Sequence, residues 1–150
     1  MNLGSPDFRE GGSIPERFTC DGKNLSPSLK IDGVPKEARS LILVVDDPDA
    51  PGGNFTHWLM WNIAPDVADI ATNSLPTHAV QGVNDFGKNK YSGPCPPSGT
   101  HRYFFRLYAL DKSLVLPSSS KRDTLDSAMR GHVISKATLV GTYTRKAGKR

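Results

Sequence analysis

Five side chains in this sequence are of the kinds that hold ions or move protons, and each stands beside a chain breaker or a strand end. Asp47 and Asp49 lie in "DDPDAPGG" (46 to 53), His57 opens "HWLMWNI" (57 to 63), and His101 and Tyr103 open "HRYFFRLYAL" (101 to 110). Carboxylates two residues apart attract ammonium groups or metals, whereas a protonated imidazole holds anions and titrates near neutral pH. Two carboxylates with two imidazoles would also suit Zn²⁺, Mn²⁺ or Fe²⁺ in a metal-dependent hydrolase. No H-x-x-x-H or C-x-x-C spacing is present, however, and no G-x-S-x-G elbow, P-loop or dinucleotide fingerprint. The expectation is therefore a binding site with no metal, no cofactor and no catalytic residue.

Taken singly, each candidate has a plain structural use. Asp46, Asp47 and Asp49 suit a turn in which acids bond their own backbone, and a histidine at a strand start is commonly semi-buried. The order of the elements brings them together. "SLILVV" (40 to 45) is continuously apolar, hence a strand buried on both faces, and Pro48, lacking an amide hydrogen, ends it by Asp47. By two-residue alternation His57 shares a face with Leu59, Trp61 and Ile63. On the longest strand His101, Tyr103, Phe105, Leu107 and Ala109 fall on one face, and Arg102, Phe104, Arg106 and Tyr108 on the other. The loop "YSGPCPPSG" (91 to 99) runs into that strand. Gly93 and Gly99 let backbone amides approach an anion, while Pro94, Pro96 and Pro97 stiffen the loop and lower the ordering cost of binding. Two loops and His57 are thus expected to form one small polar pocket. His78 and His132 have no such company and read as surface or structural residues.

Further strands are expected at "SLKI" (28 to 31), "AVQGVN" (79 to 84) and "ATLVGTYTR" (137 to 145). One helix is predicted at "SKRDTLDSAMRGH" (120 to 132), capped by Ser120 or Asp123 and stopped by Gly131, and a weaker one near 64 to 71. Many strands with turn signals between them and few helices indicate a mainly β protein, an antiparallel β-sandwich with one or two short peripheral helices.

The 150 residues, without repeat or linker, form one domain, 1–150, large enough for its own core. The 14 glycines and 12 prolines favour a fold rich in turns. Part of the net charge of +4 sits in the basic tail "RKAGKR" (145 to 150), expected to be disordered, and the rest is dispersed among acids, which excludes nucleic acid as the main partner. The first residues carry no signal peptide and no apolar run is long enough to span a bilayer, so a cytoplasmic location is expected. In such a compartment Cys20 and Cys95 are expected to be reduced, with Cys95 close to the pocket. Trp58, Trp61, Phe104 and Tyr108 are candidates for an exposed patch supporting a homodimer.

Three stretches together, "DPDAP" (47 to 51), "HWLMWNI" (57 to 63) and "GPCPPSGTHRYFFRLYAL" (93 to 110), resemble the phosphatidylethanolamine-binding protein family, also called Raf kinase inhibitor proteins. "RFTCDGKNLSPSL" (17 to 29) and "GHVISKATLVGTYTR" (131 to 145) resemble its prokaryotic branch, and the resemblance covers nearly the whole chain in order. It implies a β-sandwich with a small anion pocket, whose matching ligand positions are Asp47, Pro51, His57, Gly93, Pro94, His101 and Tyr103, with Asp49 beside them. It also implies a cis peptide at Ala50–Pro51. The chain departs from eukaryotic relatives in the short connection "GGNFT" (52 to 56) and in ending on a strand and a basic tail, so lid-like and kinase-regulating roles are not expected.

The expected ligand is a phosphate-type anion or a phosphoethanolamine-like phospholipid head group. Imidazolium groups and loop amides would take its anionic end, and carboxylates its ammonium. Without ligand, Asp47 and Asp49 are expected to pair with His57 and His101 and favour their charged forms. A serine protease is the second partner class, inhibited through "GPCPPSG" as an exposed rigid loop.

Overall fold

A computed structural model gives the positions of residues 1–145. The strands are β1 (Asn2–Gly4), β2 (Leu29–Asp32), β3 (Ser40–Asp47), β4 (Phe55–Ile63), β5 (Asp69–Ile70), β6 (Val80–Gln81), β7 (Thr100–Leu110) and β8 (Val133–Thr144). A 3-10 turn at Glu16–Phe18 and one helix, α1 (Arg122–Met129), complete the elements. Two antiparallel sheets result, one ordered β1-β2-β5 and one ordered β6-β4-β3-β7-β8.

Alternation decides what each sheet face buries. Leu41, Leu43 and Val45 of β3 join Tyr103, Phe105, Leu107 and Ala109 of β7 against Leu3, Leu29, Ile31 and Ile70 of the smaller sheet. The intervening Ile42 and Val44 point the other way, onto Leu125 and Met129 of α1 with Leu59, Trp61, Leu110 and Leu114. All eight residues of β3 are buried, as its unbroken apolar run requires when a sheet lies on one face and a helix on the other. The protein is an antiparallel β-sandwich with a helix packed outside it.

Several local expectations are corrected. No side chain caps α1, whose N-cap is Lys121, and the chain turns away at Arg130 with Gly131 at φ +83°. The weaker helix near 64 to 71 is replaced by a turn and the two residues of β5, because Ile70 is drawn into the ladder opposite Leu29. Trp58 and Trp61 are fully buried on opposite faces of the five-stranded sheet and form no exposed patch with Phe104 and Tyr108. Of the basic tail, Arg145 pairs with Asp21 at 3.3 Å, and residues 146–150 lie outside the described residues. No helix among the described residues is long and apolar enough to cross a membrane.

Candidate functional site

Where β3 ends and β7 begins, the inter-sheet core gives way to a cavity of about 180 Å³ lined by Asp47, Ala50, Pro51, Phe55, His57, Phe86, Cys95, Pro96, Pro97, His101 and Tyr103. The antiparallel pairing of β3 with β7 sets this up, since Asp46 lies opposite Phe104 and places Asp47 level with the start of β7. Asp47 is buried and serves two neighbours. One carboxylate oxygen accepts the Asp49 amide at 2.8 Å, closing the turn at Pro48, and the other lies 2.6 Å from His101 Nδ1. Both side chains of that pair are nearly inaccessible to solvent.

His57 reaches the same cavity by a break in the strand pattern. Val45 pairs with Trp58 but Asp46 pairs with Thr56, so His57 is the extra residue of a β-bulge. A second shift lies further on, where Leu41 pairs with Ile63 and Leu43 with Met60. The expected common face of His57, Leu59, Trp61 and Ile63 is therefore broken. Leu59 and Trp61 face α1, Ile63 faces the smaller sheet, and His57 packs edge-on against Tyr103, centroids 5.4 Å apart. Freed from the ladder, the His57 carbonyl accepts the Ser92 amide and Asn84 Nδ2, and its ring Nδ1 donates to the Ser92 carbonyl. Burial lowers the His57 pKa below its ordinary 6.5, against the smaller opposing pull of the Ser92 carbonyl. That shift favours the neutral ring with its proton on Nδ1.

Tyr103 forms the floor. It is 0% exposed, stacks on His101 and makes no well-formed hydrogen bond through its hydroxyl. Burial raises its pKa, and the nearby Asp47 charge adds to that effect. The Cys95 backbone and the Asp47 carboxylate both act on this hydroxyl without a well-formed bond, so it is an incompletely satisfied hydrogen-bonding group in the cavity wall.

Three of the expected positions lie outside the lining. Asp49 turns away to Arg102, which grips it through Nε at 2.9 Å, through its terminal nitrogen at 2.8 Å and through its backbone amide at 2.9 Å. Those hydrogen bonds hold the Asp49 carboxyl down to about 2. The expected carboxylate–histidine pairing is thus corrected to Asp47 with His101 alone. Arg102, on the opposite face of β7 from His101, captures the second acid. Gly93 and Pro94 shape the loop instead of lining the cavity. The Gly93 amide donates to Asn24 Oδ1 at 2.8 Å, and the Pro94 carbonyl accepts the Cys20 amide at 3.1 Å. A Cβ on Gly93 would stand 2.2 Å from the Phe18 carbonyl oxygen, which is why glycine is needed there. With the Gly93 amide engaged and prolines at 94, 96 and 97, the amide this loop turns toward the cavity is that of Cys95, which acts on the Tyr103 hydroxyl.

Two other expectations fail here. Ala50–Pro51 is trans, and the Gly53 amide closes that turn on the Ala50 carbonyl. Cys20 and Cys95 form a disulfide across 75 residues, because the fold sets the 3-10 turn against the pocket loop with their Cα atoms 5.4 Å apart. The expectation of reduced thiols, which rests on an expected cytoplasmic location, is thereby corrected.

Sequence reading missed the apolar walls. Phe55 and Phe86 pack edge-on against one another and at a steep tilt against His57, and Phe86 remains 46% exposed at the cavity edge. A phenylalanine inside the turn "NDFGKN" (84 to 89) was the available signal, since nothing in a solvated turn needs one. Among the described residues no group of three or more His, Cys, Asp or Glu is disposed to hold a metal.

The phosphatidylethanolamine-binding protein family model matches residues 4–144. A UPF0098 protein of Methanothermobacter thermautotrophicus is 55% identical, over 97% of this chain and 99% of its own length. A UPF0098 protein of Pyrococcus horikoshii is 48% identical over 93% of this chain and 74% of its own. Among solved structures, a phosphatidylethanolamine-binding protein homologue from Chlamydia trachomatis superposes with a TM-score of 0.93 at 41% identity, covering 97% of each chain. The E. coli protein YbcL, described as a member of the mammalian family of that name, does so with a TM-score of 0.91 at 32% identity, over 97% of this chain and 98% of its own. Sandwich, cavity and kinship define a small-ligand-binding protein. The chain belongs to the phosphatidylethanolamine-binding protein family.

Proposed function

We propose that the cavity binds small phosphate-type anions, with the phosphoethanolamine head group as the best-fitting class. The observation that carries this reading is the buried Tyr103 hydroxyl, which makes no well-formed hydrogen bond and stands between the Asp47–His101 pair and the Cys95 backbone. When His101 is protonated, Asp47 occupies its Nδ1 and leaves Nε2 as a donor, so His101 and Tyr103 can together hold a phosphate oxygen. The neutral His57 ring and the Asp47 carboxylate are acceptors, matched to an ammonium or hydroxyl at the ligand's other end. A volume near 180 Å³ suits a head group and not an acyl chain, which would lie over Phe86 and Pro97 at the surface. The role is binding, without catalysis and without cofactor.

Calorimetric titration with phosphoethanolamine and glycerophosphoethanolamine tests this. Tyr103→Phe removes one hydrogen bond to a charged group and should weaken binding roughly ten- to a hundredfold. It should change the stability of the fold by less than about 1 kcal/mol, because the hydroxyl makes no well-formed hydrogen bond within the protein. Equal affinities for wild type and Tyr103→Phe, or no binding by wild type, would end the reading. Of the loop 93 to 99 expected to enter a protease, Gly93, Pro94 and Pro96 are buried and only residues 97–99 are exposed, so protease inhibition is kept as the alternative on that short tip alone. Mixing with chymotrypsin-like proteases decides it.

A further inference from the structure

Cys95 belongs to two structures at once. It lines the ligand cavity between the loop and Tyr103, and it is bonded to Cys20, which does not line it. The bond is not all that fixes the loop. The Cys20 amide holds the Pro94 carbonyl and Asn24 holds the Gly93 amide, so cleavage of the disulfide would leave both partners in place. Cys20 and Cys95 are both half-buried, but only Cys95 shares the cavity with the imidazoles of His57 and His101. A small molecule inside the cavity therefore meets the disulfide from the Cys95 side.

We propose that this disulfide is a thiol-exchange site opening into the cavity, whose reaction partner is a low-molecular-weight thiol. The incoming thiolate attacks Cys95 Sγ. A new S–S bond forms there as the Cys20–Cys95 bond breaks, and the electron pair leaves on Cys20 Sγ, which takes a proton from solvent. One disulfide replaces another, so no oxidant or reductant is consumed. The Cys20 thiolate, held beside the loop by its backbone bond to Pro94, reverses the step by attacking Cys95 and expelling the thiol. While attached, the substituent occupies a cavity of about 180 Å³ and excludes a head group. Exchange would thus switch ligand binding off and on, a consequence that rests on the ligand reading given above.

The test uses the oxidised full chain and 2-mercaptoethanol at about pH 8, where part of the thiol is ionised. After acid quenching, peptide mapping should place the mercaptoethanol adduct on Cys95 and the free thiol on Cys20. Phosphoethanolamine present beforehand should slow the adduct. A Cys20→Ser chain treated with bis(2-hydroxyethyl) disulfide traps the adduct, and its phosphoethanolamine affinity should fall at least about tenfold against the untreated variant. A Cys95→Ser chain, whatever its starting affinity, should bind equally before and after the same treatment. An adduct mapped to Cys20, or a Cys95 adduct with unchanged affinity, overturns the proposal. If oxidised wild type binds no phosphoethanolamine, the ligand reading fails, while the position of the adduct still decides the exchange.

Discussion

Asp46 and Asp47 are consecutive in the chain and buried on opposite faces of the same sheet. Asp47 meets His101 in the cavity. Asp46, 0% exposed, meets Arg106 at 3.0 Å, Arg122 at 3.0 Å and Asn54 at 3.3 Å on the side covered by α1. Arg122 also binds Asp126 one helical turn on, so Asp46 ties α1 to the sheet. One acid secures the scaffold and its neighbour serves the site.

Exchanging each for its amide should separate the two roles. Asp46→Asn leaves two guanidinium groups without their buried anion and should cost about 2–4 kcal/mol, somewhat less than a fully buried pair because both arginines are partly solvated. Its affinity for phosphoethanolamine should stay within about twofold of wild type. Asp47→Asn should cost only about 1 kcal/mol yet weaken binding about tenfold. Urea unfolding and calorimetry on both variants check this.

His57 should be a neutral Nδ1–H tautomer at neutral pH. In the unfolded chain it takes its proton near 6.5, and in the folded protein only at lower pH. Just below 6.5 the unfolded state therefore binds more protons, so this group makes stability fall as pH drops through that window and has no effect above it. Nitrogen-15 chemical shifts of the imidazole should show protonation below 6.5, and His57→Asn should flatten the slope of unfolding free energy between about pH 6.5 and 5. Titration at or above 6.5 would contradict the burial account.

Gly93→Ala should be poorly tolerated although the residue lies outside the cavity lining. The added methyl meets the Phe18 carbonyl at 2.2 Å and Asn24 Oδ1 at 2.6 Å, both held by hydrogen bonds. Overpacking of this kind should cost about 1–3 kcal/mol and disturb binding through the loop. Thermal unfolding with calorimetry measures both.

Replacing both cysteines by serine should lower stability without unfolding the protein. A link across 75 residues restricts the unfolded chain by roughly 4 kcal/mol in the loop-entropy description, an upper value because denatured chains keep some structure. Denaturing thiol titration with and without reductant should first show two thiols appearing only on reduction.

The long strands were legible in the sequence because apolar runs and alternation report burial directly, and β3, β4 and β7 lie close to the expected positions. The two residues of β5 and the three of β1 carry no pattern of their own and exist only because β2 pairs with them. Asp47, His57, His101 and Tyr103 meet in one cavity as the order of the strands and loops suggested, and Pro51, which only the family resemblance implied, joins them. Asp49 left the expected set because Arg102, assigned to the other face, was a stronger partner than any histidine. The face reached by His57 could not be read, since alternation presumes an unbroken ladder. The disulfide was hidden because proximity across 75 residues is a property of the fold.

The bulge at His57 makes the cavity depend on a count as well as on identities. Along β4 each irregularity reverses which face odd-numbered residues occupy, so the strand changes phase at His57 and again before Ile63. Removing any one residue between Phe55 and Trp58 would restore regular pairing with β3 and keep the local composition nearly intact. Phe55 and Trp58 would still share a side by ordinary alternation, but His57 would be lost or, with Thr56 removed instead, would pair opposite Asp46 and turn toward α1. A relative could thus share almost every residue of this strand and still lack the site, if its strand were shorter by one.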